Sequence, residues 1–493
     1  MTLTVHRSER WRRWRACSER RSRSTRSKAS ARCAVVVGLV AAVSASAPEG
    51  ASATPGTKVW ATRYDAPGVS SESATDVGVS PDGSAVFVTG RGQTTDGSFD
   101  YATVAYDAVT GAELWSAGYD GLGHAYDIAN ALAVSTDGSV VFVTGESAGG
   151  TTGTDYATVA YDASSGDQLW AARYDGPLGG SDSARAIAVS PNGSAVFVTG
   201  GNLGSHRWDD YATVAYDPFT GAQLWVTRYD GPEQESDAAA ALAVSPDGST
   251  VLVTGSSTGS THSDYGTVAY DASTGSRLWA RHYSGRGKDV ATALAVDPDG
   301  EAVFVTGMSV GHTRRGDLVT VAYDRRTGAM LWVHRYDRTR GDVGTAISVG
   351  PDGSTVFVTG PSGRPRGNRD YATLAYDAAT GAKLWGSRYE GNHGDVPTSL
   401  GLSPDGTMVF VTGVTFRSST VSDYCTVAYD AATGSELWVR RHNGTADGND
   451  YATSLAVDPT GTAIYVTGVS VGASTGQDFG TLAYGVLALG AAG

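Results

Sequence analysis

Residues 100–115 read DYATVAYDAVTGAELW, and near-copies return down the chain: DYATVAYDASSGDQLW from Asp155, DYATVAYDPFTGAQLW from Asp210, DYGTVAYDASTGSRLW from Asp264, DYATLAYDAATGAKLW from Asp370 and DYCTVAYDAATGSELW from Asp423. The stretch mixes β-branched, aromatic and small residues. Asp and Gly interrupt it midway, which is the chemistry of two strands joined by a tight turn. Working outward, three landmarks recur eight times each. A Trp falls at Trp60, Trp115, Trp170, Trp225, Trp279, Trp332, Trp385 and Trp438. The glycine of a V-T-G run falls at Gly90, Gly145, Gly200, Gly255, Gly307, Gly360, Gly413 and Gly468. An Asp before an aromatic residue, or before Leu at Asp317, completes the set, and the period is 53 to 55 residues.

Each period reads as four short strands, A to D. In the second copy IANALAVS is strand A, SVVFVTG strand B, DYATVAYD strand C and AELWSAGYD strand D, with T-D-G and A-V-T-G as the turns. Both faces of these strands are apolar or small, so each sheet must be covered on both sides. Four-stranded sheets stacked radially satisfy that demand as a propeller, whereas an open solenoid needs atypical capping repeats that the sequence lacks. The repeat region begins with a lone strand D, KVWATRYD, and finishes after strands A, B and C of its last copy. The expectation is an all-β, eight-bladed propeller over residues 54–493, closed by its N-terminal strand. The repeated Trp is then a wedge between neighbouring blades.

The chain is 493 residues long, 41% hydrophobic and 18% charged, with a net charge of −14. The charge is uneven: residues 1–53 carry about +8 and the remainder about −22. An acidic body argues against general nucleic-acid binding, which needs a basic surface. The basic stretch is followed by CAVVVGLVAAVSASA, too short to span a bilayer, and by small-x-small sites at Ala45–Ala47 and Ala51–Ala53. Residues 1–53 therefore read as a secretory signal peptide with a long basic lead, and the protein as extracellular without stable membrane insertion. A basic nucleic-acid arm is the rival reading. Cys17 and Cys33 fall in this segment, leaving Cys425 alone, without an intramolecular disulfide partner.

The run AYDAVTGAELW resembles the tryptophan-docking motif A-x-D-x-x-T-G-x-x-x-W of PQQ-like, quinoprotein-type eight-bladed propellers, through Ala105, Asp107, Thr110, Gly111 and Trp115. The half-repeat AVSPDGSAVFVTG with DYATVAYD is also similar to a bacterial secreted propeller repeat. The resemblance covers about residues 57–485. It implies the propeller fold. As one functional option it implies an oxidoreductase using pyrroloquinoline quinone with calcium, held by a Trp floor, an adjacent Cys pair and carboxylates. This chain has no Cys-Cys pair, and the Trp other than the repeat set beyond residue 53 is Trp208. The favoured expectation is a non-enzymatic binding or scaffolding protein with no cofactor. The quinoprotein enzyme is the alternative, and a carbohydrate-active enzyme is third.

Candidate chemistry starts with a ring of acids nine residues before each A–B turn: Glu72, Asp127, Asp182, Asp237, Asp289, Asp342, Asp395 and Asp450. Carboxylates are hard ligands that suit calcium. The competing role is to accept backbone N–H groups and hold the D–A turn. One carboxylate per blade around a wide ring is not expected to converge on one ion. The His residues show no metal-spaced pair. The A–B and C–D turns share one face and hardly vary between copies. The B–C and D–A loops share the other and vary in length and composition, so binding is expected there. On that face Arg286, Lys288, Arg314, Arg315, Arg338, Arg340, Arg364, Arg366 and Arg369 cluster in blades four to six, and Trp208 stands in a loop. These suit a protein partner or an anionic glycan or wall polymer.

Overall fold

The computed structural model describes residues 54–66, 71–150, 153–203, 209–311, 315–338, 341–363, 368–391, 393–418 and 421–486. They form eight sheets of four antiparallel strands each. Blade 1 has strands A (Glu72–Val79), B (Ala85–Gln93), C (Phe99–Asp107) and D (Glu113–Tyr119) in that spatial order. Blades 2 to 7 repeat the pattern. In the closing blade, strands A (Tyr451–Val457), B (Ala463–Gly472) and C (Gly476–Gly485) are completed by Lys58–Tyr64, which takes the place of strand D. The N-terminal strand thus closes the ring, as the incomplete first and last repeats predict. No helix among the described residues is long and apolar enough to cross a membrane.

Two bulges recur because the repeat encodes them. In strand D, Trp115 pairs with Ala105 and Glu113 with Tyr106, so Leu114 is the extra residue. The bulge buries the Trp and leaves the Leu half-exposed. In strand A, Ala74 faces Gly90 and Asp76 faces Thr89, so Thr75 is extra. Its hydroxyl donates to the carbonyls of Thr89 in its own blade and Ala129 in the next. Thr292, Thr345, Thr398 and Thr453 make the same double link, stitching the inner strands together. Gly145 shows why the V-T-G glycine recurs: a Cβ there would stand 1.9 Å from the Ile128 carbonyl oxygen.

The core is shared between blades. Each of eight apolar clusters spans two neighbouring sheets, as Phe87, Tyr101 and Trp115 of blade 1 pack on Leu132, Val143 and Tyr161 of blade 2. Seven of the repeat Trp donate from Nε1 to a carbonyl in the C–D turn of the next blade at 2.7–3.0 Å. Each ring also lies against a glycine of that turn. Gly166, at φ +77°, would place a Cβ 2.7 Å from Trp115. The turns satisfy themselves: Asp107 accepts both the N–H and the hydroxyl of Thr110, and these bonds hold its carboxyl below the usual range. Cys425 is buried and free, and burial pushes its thiol up to about 12.

Candidate functional site

The antiparallel order brings three chain positions to one edge of each blade junction. They are the start of strand C, the end of strand D, and the start of strand A in the next blade. Six junctions carry a carboxylate at all three positions, and at five of them the three converge: Asp65, Glu72 and Asp478; Asp100, Asp120 and Asp127; Asp155, Asp175 and Asp182; Asp210, Asp230 and Asp237; and Asp317, Asp337 and Asp342. In each group one oxygen from each residue lies within 4.8 Å of the others. Glu390 is the D-end acid of the sixth, with Asp370 and Asp395, and Ser284 and Asn443 stand at that position in the other two junctions. The ring acids of different blades do not meet one another, but in these five groups a ring acid meets two acids of the preceding blade. The position missed was the Asp ending strand D. Its signal was legible as Tyr-Asp in five copies, but its partners are set by the sheet order. Strand A also begins just after Asp182 and Asp450 rather than at them, and in blade 6 only at Ala346, past Asp342.

Two devices offset the negative charge. An Arg one residue before the last Tyr of strand D pairs with the strand C acid: Arg63 with Asp478 at 2.8 Å, Arg173 with Asp155 at 2.8 Å, Arg335 with Asp317 and Arg388 with Asp370 at 2.6 Å. Blade 1 has Gly118 at this position. There burial, then the Asp120 and Asp127 charges, push Asp100 up to about 6. The second device is a loop amide. Asp127, Asp182, Asp237, Asp395 and Asp450 accept the N–H of Gly121, Gly176, Gly231, Gly391 and Gly444 at 2.5–2.9 Å. Asp289 takes that of Gly285, and Asp342 that of Arg338 at 2.9 Å. Asp182 takes a second amide, from Leu203, at 2.8 Å, yet burial still raises it to about 6.

Glu72 departs from this pattern. It is fully buried, and neither carboxylate oxygen has a partner in hydrogen-bonding geometry. Burial pushes it up to about 7, with Asp478 and Asp65 adding to the effect and the Ala66 amide only partly offsetting it.

Of the exposed-face candidates, Arg286, Lys288, Arg315, Arg338 and Arg369 are exposed on the B–C and D–A loop side of blades 4 to 6. Trp208, Arg314, Arg340, Arg364 and Arg366 lie outside the described residues. Two shallow cavities open on this side. One of about 450 Å³ is lined by Tyr119, Leu122, His124 and Arg173, and one of about 240 Å³ by His262, Asp264 and Arg286.

No curated protein matches the chain in sequence. In solved structures, Sqt1 of Chaetomium thermophilum bound to the N-terminus of ribosomal protein L10 aligns with a TM-score of 0.57 at 13% identity, over 86% of this chain and 98% of that one. The quinohemoprotein alcohol dehydrogenase of Comamonas testosteroni aligns with a TM-score of 0.52 at 14% identity, over 88% and 77%. A europium-containing methanol dehydrogenase aligns with a TM-score of 0.50 at 12% identity, over 87% and 93%. At such identities the likeness is one of fold, shared by a protein-binding propeller and by enzymes. The family model described as outer membrane protein assembly factor BamB, of the PQQ repeat type, matches residues 38–312 and 314–478. With eight four-stranded blades and a docking Trp in each junction, the chain belongs to that PQQ-type repeat family.

Proposed function

We propose that the protein is an exported, non-enzymatic binding and scaffolding propeller. It presents the loop face of blades 4 to 6 to an anionic partner, an acidic protein segment or an anionic glycan. The observation that carries this reading is the exposed arc of Arg286, Lys288, Arg315, Arg338 and Arg369 on one side of an otherwise acidic molecule. Like charges gathered on a rigid rim raise the local concentration of an opposite partner. The quinone-enzyme reading finds less support. The eight repeat Trp side chains are wedged between blades, so they do not fit the part of a quinone-stacking floor. Export rests on the residues 1–53 alone.

Retention on an immobilised polyanion tests the proposal. The wild-type protein elutes at higher salt than Arg286→Ala/Arg315→Ala/Arg369→Ala. Equal elution would refute the arc as the binding surface. A melting temperature raised by pyrroloquinoline quinone with calcium, beyond calcium alone, would put the oxidoreductase first.

A further inference from the structure

We propose that Asp65, Glu72 and Asp478 hold a calcium-class divalent cation that staples the ring shut. The three residues come from the three segments that meet where the ring closes. Asp65 follows the N-terminal strand, Asp478 lies in strand C of the closing blade, and Glu72 opens strand A of blade 1. One carboxylate oxygen from each lies within 4.8 Å of the others. A cation there ties the first strand of the fold to its last blade and to its first complete one.

The acidic cluster alone does not carry the assignment; the orphaned oxygens do. Glu72 is fully buried, and both its oxygens lack a partner. Asp478 is also fully buried, and its Oδ1 lacks one. Buried carboxylate oxygens without donors are costly and rare, and a metal ion satisfies them. The other oxygen of Asp478 is engaged by Arg63 and by the Thr475 hydroxyl. Arg63 thereby cancels one charge from the side, and the group keeps two, matching a divalent ion.

Side-chain length explains why this junction differs. At the Asp155, Asp175 and Asp182 junction, loop amides occupy both Asp182 oxygens. With its extra methylene Glu72 does not meet hydrogen-bonding geometry with the Ala66 amide, which stands where Gly176 stands for Asp182 and only partly offsets its burial. Asp127 is intermediate: its Oδ2 accepts the Gly121 amide while its Oδ1 lacks a donor. An all-oxygen donor set of carboxylates suits a hard ion, with water completing the six to eight ligands that calcium takes.

The test compares full-length wild type, Glu72→Gln and Asp127→Asn by calcium titration calorimetry and by melting in calcium against chelator. Wild type and Asp127→Asn bind calcium at the seam and melt higher with it. Glu72→Gln loses one bound calcium per chain, with affinity there down by about 100-fold, and loses most of the calcium-dependent rise in melting temperature. The proposal is overturned if wild type binds no calcium at ~5 mM, above the range of extracellular modules. It is equally overturned if Glu72→Gln keeps full stoichiometry, or if Asp127→Asn is the variant that loses the ion.

Discussion

The two junctions of the closing blade and the six others are built from one repeat, yet they are held differently. At a regular junction the docking Trp donates to a turn carbonyl and rests on a turn glycine, as Trp115 does on Ala163 and Gly166. At the turn of the closing blade the chain is interrupted. Trp438 there rests on Gly56 beside the N-terminal strand, and its Nε1 has no acceptor. Arg440 covers the Trp438 ring and donates to the carbonyls of Pro55 and Gly56 at 2.9 and 2.7 Å, as Arg281 donates to Thr327 and Gly328 at a regular junction. On the loop side, where the closing blade meets blade 1, neither Glu72 oxygen has a partner in hydrogen-bonding geometry, whereas Asp182 at a regular junction takes two amides. The lesson is that identical positions of the repeat end with different partners: Trp438 meets the N-terminal segment instead of a C–D turn, and Glu72 is one methylene longer than its Asp counterparts.

The largest test of this contrast removes the closing strand. Deletion through Tyr64 leaves the last sheet with three strands and an open edge, and takes away Trp60 and Arg63. Thermal scans and size-exclusion chromatography should report loss of the cooperative transition and self-association through the bare edge. Cooperative melting within a few degrees of wild type would show that the ring does not depend on its seam.

The next effect compares two wedges. Trp115→Ala loses a buried ring and its hydrogen bond, and should destabilise by ~3–5 kcal/mol. Trp438→Ala loses the ring alone, so denaturant titration should show a cost smaller by about 1 kcal/mol. Equal losses would mean that the missing bond is immaterial.

A pH profile sharpens the view of the regular junction. Burial raises Asp182 from 3.8 to about 6. The folded state then holds a proton that the unfolded chain has released. Stability from this group is full below about pH 4 and declines as pH rises through about 6. Asp182→Asn should flatten that part of the stability curve, measured by chemical denaturation across pH 4 to 7. An unchanged slope would show that other carboxylates set it.

The smallest effect concerns Gly118, which stands where six other blades carry Arg and blade 4 carries His282. A Cβ there meets only the Tyr101 carbonyl oxygen, at 3.5 Å, so the backbone accepts a side chain. Gly118→Arg should pair with Asp100 and stabilise by about 0.5–1 kcal/mol at neutral pH, an effect that salt reduces. A destabilised variant would show that the blade 1 acids need their present environment.

The eight-fold period, the four strands per period and the incomplete end repeats are properties of sequence order. A reader of residues 100–115 and their copies therefore arrives at the closed ring without coordinates. Sheet packing explains why: strands apolar on both faces have few arrangements, and an interrupted repeat is completed most simply by the other end of the chain. The acid ring was legible in the same way, because its members share one position in each copy. The convergence of Asp65, Glu72 and Asp478 was not. It joins positions more than 400 residues apart, and nothing in a linear pattern says which amide or guanidinium reaches which oxygen. Nor does the sequence distinguish Glu72 from Asp127 or Asp182 by more than a methylene. The repeat itself determined the architecture, because periodic apolar strands must stack. Tertiary structure decided which carboxylates are satisfied, because that depends on side-chain reach across blades whose neighbours are set only when the ring closes.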